Sequence, residues 1–96
     1  MAVEFHPSAE QEMGAAAEFY ERRREGLGQA LVDEVRAFCT LLSEHPDIGR
    51  PVDAIHRSVP LRKFPFVLFY RVRGDTVQMI AVAHKRKRPG YWRSRG

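Results

Sequence analysis

Apolar positions in the first half of the chain recur every three or four residues. From about residue 54 onward they alternate or run together. The opening "AVEFH" (2–6) alternates and predicts a short strand that Pro7 ends. Ser8 is the expected N-cap of a helix over "AEQEMGAAAEFYERRRE", whose apolar stripe is Ala9, Met13, Ala16 and Tyr20. The Arg22-Arg23-Arg24 run suits the negative end of that helix, and Gly26 is its expected C-cap. A second helix is predicted over 27–45, with Leu27, Leu31, Val35, Phe38 and Leu42 on one face. So short a connection implies an antiparallel helical hairpin. "HPDIGRP" (45–51) reads as a loop.

The second half predicts a sheet. "AIHRSVPLR" (54–62) is a candidate strand weakened by Pro60, which has no N–H to donate. "FPFVLFYRV" (64–72) is a buried strand, and Arg73-Gly74-Asp75 turns the chain. "TVQMIAVAH" (76–84) returns as a central strand. The fold class is α+β, with order β-α-α-β-β-β and the helical hairpin packed on one face of a mainly antiparallel sheet. The chain reads as one domain over 1–96: a strand and hairpin to 53, a basic sheet over 54–92 and a tail over 93–96.

Ninety-six residues leave a thin margin of buried surface. A composition of 44% hydrophobic and 29% charged residues is that of a globular rather than a disordered chain. No apolar run approaches the roughly 18 residues of a membrane span, and the start lacks a basic, then apolar, signal. The lone Cys39 lies in a helical pattern as a small hydrophobe. These features together point to the cytoplasm.

Charge changes the picture most. Residues 1–53 carry eleven acids against five Lys/Arg, a balance of −6, whereas residues 54–96 carry one acid against eleven, a balance of +10. Such a basic half points to a nucleic acid or an acidic protein as partner, or simply to a well-solvated sheet. Histidines at 6, 45, 56 and 84 have no metal-ligand spacing, and no phosphate loop or nucleophile motif is present, so neither metal nor cofactor is expected.

The candidate chemistry lies on one sheet edge. Residue 84 returns toward 64–68, bringing His56, Arg57, Arg62 and Lys63 near His84, Lys85, Arg86, Lys87, Arg88, Tyr91, Trp92, Arg93 and Arg95. Arg57, Arg62, Lys63, Lys85, Arg86, Lys87 and Arg88 could hold phosphates or a target, and Trp92 could stack on a base. An RNA-cleaving version needs an acid/base and a cation; His84, Arg86, Arg62 and Tyr91 are the candidates. Each has a structural alternative: His84 as a strand cap, Tyr91 and Trp92 as tail anchors, Arg57 as a solvated cation, and Arg62 as a partner for an acid of the hairpin.

The lead-in "RKFPFVLFYRV", the Asp-containing hairpin turn and the exit "AVAHKRKRPGYW" resemble the RelE/ParE superfamily of type II toxins. "FHPSAEQEM", "GLG" and "HPDIGRP" extend the likeness over nearly the whole chain, within the plasmid-stabilisation, ParE-like branch. The resemblance implies a growth-arresting toxin neutralised by a cognate antitoxin, and the reading leans to the ParE-like mechanism, with DNA gyrase as target. The alternatives it leaves are a ribosome-dependent mRNA endonuclease and a non-toxic relic that only binds antitoxin. RelE-like nucleases place an arginine where this chain has Val67, and lysines where it has Ser58 and Pro60. Whether the chain is an enzyme therefore stays open at this level.

Overall fold

Pro7 does not end the first strand's line so much as begin the first helix. In the computed structural model, which describes all residues 1–96, β1 (Ala2–Phe5) passes directly into α1 (Pro7–Arg23), with proline in the first turn. The cap is His6 rather than Ser8: its Nδ1 accepts the Ser8 N–H at 3.0 Å. An imidazole lone pair here does the work expected of a serine hydroxyl.

The other end of α1 also departs from expectation. Arg24, in extended conformation, is the C-cap, and Gly26 (φ 90°) starts α2 (Leu27–Glu44) instead. No side chain of its own caps α2. The Glu21 carboxylate reaches across from α1 and accepts Gly26 N–H at 2.9 Å and Gly28 N–H at 3.0 Å. A negative charge on the positive helix end joins the hairpin at its turn. Both stripes face inward as the periodicity requires: Ala9, Ala16, Leu31, Val35 and Leu42 are buried, with Met13, Tyr20, Leu27 and Phe38 packed around them.

Five strands, not four, make the sheet. The "HPDIGRP" loop contributes a two-residue strand, β2 (Arg50–Pro51), which is too short for any periodicity to register. β3 is only Arg57–Pro60, ending at the proline, and β4 starts two residues later than the pattern suggested, at Phe66, and runs to Arg73. β5 (Thr76–His84) follows the Gly74-Asp75 turn, Gly74 having φ 61°. The order is β1-β5-β4-β3-β2, with β1 parallel to β5 and all other pairs antiparallel.

β5 is buried on both faces. A bulge places Tyr70 opposite Met79 but Phe69 opposite Ala81, so Ile80 has no partner and the alternation resets. Val77, Met79 and Val82 face the helices, while Ile80, Ala81 and Ala83 join Trp92 in a second cluster on the opposite face.

Tyr70 holds the loop before β2. Its ring is fully buried, and its hydroxyl donates to Pro46 O at 2.7 Å while accepting Gly49 N–H at 2.9 Å. Removing that hydroxyl strands two backbone groups. Tyr70→Phe should lower unfolding free energy by about 1–3 kcal/mol in urea, with an unchanged slope. A loss below about 0.5 kcal/mol would show that the loop holds itself.

Candidate functional site: a basic hollow beside β5

The sheet face away from the helices is where the C-terminal segment folds back. At its upper end Val67, Phe69 and Ala83 form an apolar floor, Tyr91 and Trp92 form walls, and His84, Lys85, Lys87, Arg88 and Pro89 form the rim. The hollow holds about 190 Å³. The hairpin register explains the floor, since Val67 lies opposite Ala83 and Phe69 opposite Ala81.

The walls are pinned from several directions. Trp92, 1% exposed, stacks on Phe69 at 4.4 Å and meets the edge of His56 at 4.7 Å. The Tyr91 hydroxyl donates to Glu12 Oε2 at 2.6 Å. Arg95 binds the same carboxylate through both terminal nitrogens, at 2.8 and 2.9 Å. The end of the chain is thus tethered through Arg95, while Ser94 and Gly96 stay exposed. Arg93 Nε donates to Asp53 at 3.2 Å, and Arg95 is mostly covered. The basic composition of the tail concealed this, because the acids it meets lie 40 and 83 residues away in sequence.

Glu12 is the residue that pattern reading missed. It looks like an ordinary helix-surface acid, but it sits where β1 has ended and β5 continues. Its Oε1 accepts the Val82 N–H at 3.0 Å, while Arg95 donates to Ile80 O at 3.1 Å. Two side chains thus occupy backbone positions that a longer β1 would have paired. Burial alone would push the Glu12 pKa up; hydrogen bonds from Arg95, Tyr91 and Val82 outweigh it and hold the carboxyl below its usual range. Tyr91 is pushed well above the usual tyrosine value by burial and then by its bond to Glu12.

The rim differs from the walls in having free charge. Lys85, Arg86, Lys87 and Arg88 are exposed and none joins an ion pair; Lys87 lies over the Tyr91 ring at 5.1 Å. Their backbone is nevertheless fixed: Lys85 N–H donates to Pro65 O at 2.9 Å and Lys87 N–H to His84 O at 2.9 Å. His84 Nδ1 accepts the Arg86 N–H at 3.0 Å, and its ring edge packs on Phe66 at 5.1 Å. His84 thus caps the strand end by accepting an N–H rather than by donating to a carbonyl. Arg86 projects from the same loop but does not line the hollow.

The first basic group does not reach this hollow. Arg57, half-buried, donates to Asp47 O at 3.0 Å and Gly49 O at 2.8 Å, bracing the loop before β2. His56 is 3% exposed and donates from Nδ1 to Asp53 at 3.0 Å. Arg62 and Lys63 give their backbone N–H groups to Glu34 of α2, and their side chains line a separate groove with Ala37, Phe38 and Leu41. The hairpin acid expected for Arg62 exists, but it binds backbone rather than guanidinium.

The tail clamp carries a sign for pH. The folded Glu12 pKa lies below the ordinary 4.5, so its stabilisation is complete above that pH and fades as pH falls through the folded value. Glu12→Gln should cost about 2 kcal/mol at pH 7, and the gap from wild type should close below pH 4.5. Trp92, the sole tryptophan, reports the tail by fluorescence during unfolding. A gap that stays constant down to acid would show that the carboxylate charge contributes nothing.

Comparison with known proteins places this arrangement. A family model described as "ParE toxin of type II toxin-antitoxin system, parDE" matches residues 3–89, ending just before the Tyr91, Trp92 and Arg95 anchors. A solved structure described as a chromosomal ParDE TA system from P. aeruginosa superposes with a TM-score of 0.75 at 18% identity, covering 88% of this chain and 95% of that chain. The likeness shows the fold. No curated protein sequence matches. No helix is long and apolar enough to cross a membrane. With nine-tenths of its length matched by the family model, the chain belongs to the ParE family of type II toxin–antitoxin toxins.

Proposed function

We propose that this toxin arrests growth by contacting DNA gyrase through its basic edge, without cleaving RNA, and that a cognate antitoxin protein holds it inactive. The observation that carries the reading is the composition of one sheet face. Ser58 lies opposite Phe69 and Pro60 opposite Val67, so the three positions where RelE-like nucleases carry cations share the face of the hollow and supply none. Floor atoms there are apolar, and a phosphate in transit between oxygens finds no fixed positive charge beneath it.

The remaining candidates argue the same way. A general base needs a free lone pair, and the Nδ1 pair of His84 is already taken by the Arg86 N–H, which leaves the neutral ring its Nε2–H. Tyr91 is bound to Glu12, and its raised pKa disfavours the phenolate. Arg62 points into a groove on α2. Arg86 is exposed and unpaired, and a single cation outside the hollow does not make a catalytic site. The ParDE complex among related structures supports the antitoxin partner.

Pulse labelling after induced expression tests the reading. Thymidine incorporation should fall before amino-acid incorporation, and His84→Ala should retain toxicity. An earlier fall in protein synthesis, together with loss of toxicity in His84→Ala, would overturn it in favour of ribosomal cleavage. No fall in either would identify a non-toxic relic.

A further inference from the structure

The hollow combines features that restrict what can enter it. Its floor is apolar, its walls are rigid, and its rim presents Lys85, Lys87 and Arg88 without any internal carboxylate to neutralise them. We propose that it is a socket for one apolar side chain flanked by carboxylates, presented by a surface loop of the protein this toxin inhibits. The inference rests on the reading of the chain as an inhibitor acting by protein contact.

The hollow itself, at about 190 Å³, is sized for one side chain. Tyr91 and Trp92 close one side and the Lys85–Pro89 turn another, and a second apolar hollow over Phe66 and Val82 adjoins it at His84, Lys87 and Tyr91. Chemistry favours protein over nucleic acid. A base needs a free aromatic face, and both rings here are engaged. Trp92 is stacked on Phe69, met by His56 and covered by Arg93 at 5.1 Å. Tyr91 lies beneath Lys87 and Arg95, each at 5.1 Å. Phosphates would gain nothing from Val67 and Ala83, whereas an aliphatic or aromatic side chain would be desolvated there. The carboxylates on either side of it would meet three cations whose backbone is already ordered, so little freedom is lost on binding.

Purified gyrase A and B subunits are the probe, captured on immobilised full-length toxin. The double variant K85E/R88E changes only exposed rim residues, and Val67→Phe fills the hollow from its half-buried floor. Both should weaken capture by about tenfold or more, as loss of a central contact does. Arg86→Glu reverses one charge on the same turn but outside the hollow; set against Arg88→Glu alone, which makes the same charge change on the rim, it should weaken capture several-fold less. Trp92 fluorescence confirms the fold, and K85E/R88E keeps the test decisive if Val67→Phe does not fold. Equal weakening by Arg86→Glu and Arg88→Glu would overturn the socket in favour of a diffuse cationic field of the nucleic-acid kind. Unchanged capture by K85E/R88E would overturn it while leaving the gyrase reading intact. Variants that keep gyrase but escape neutralisation by co-expressed antitoxin would assign the hollow to the antitoxin and overturn the proposal. No capture by wild-type toxin would overturn the gyrase reading and the socket with it.

Discussion

One carboxylate holds two parts of this molecule together. Glu12 projects from α1 to the place where β1 has stopped and β5 runs on, and there it takes one backbone N–H and the tips of Tyr91 and Arg95. Without it the upper edge of β5 would expose a buried donor, and the C-terminal segment would lose its outer tether. Four donors on one charged acceptor set make the contact strong enough to order a segment that has no helix or strand of its own. The placement of Trp92, and hence the wall of the hollow, follows from that ordering.

The second constraint is the bulge at Ile80. By resetting the alternation it gives β5 apolar side chains on both faces, so the sheet acquires a small second core away from the helices. Only the tail can cover that core. A domain of this size has few residues to spare, and here the last twelve complete the burial that the helical hairpin leaves undone.

Function follows from which charges these constraints use and which they leave. Arg57, Arg93 and Arg95 are tied to carbonyls or carboxylates of the fold, and His84 is tied to its own turn. Lys85, Arg86, Lys87 and Arg88 remain unpaired on an ordered loop. Such charges attract and orient acidic groups. The basic balance of the second half therefore divides into structural and free charge.

Periodicity in the chain determined the helical hairpin, the two long strands and the class of fold, because each buried face repeats every few residues and needs no distant partner to be read. The run from Arg62 to Trp92 likewise pointed to the right toxin superfamily. Elements too short to repeat escaped that reading: β2 at Arg50–Pro51 and the trimmed β3 exist only because neighbours pair with them. Caps escaped it too, since His6 and Glu21 fill roles that residue preference assigns to others. The site was half legible. His84, Lys85, Arg86, Lys87, Arg88, Tyr91 and Trp92 were identified as a group and all but Arg86 line the hollow, whereas Arg57, Arg62 and Lys63 were joined to them from topology alone and lie elsewhere. Glu12 gave no signal at all, because its partners are 70 to 83 residues away and a surface acid on a helix looks the same whether or not it is claimed. Local order is written in local spacing. Which arginine finds which carboxylate was decided only when the sheet brought the two ends of the chain together.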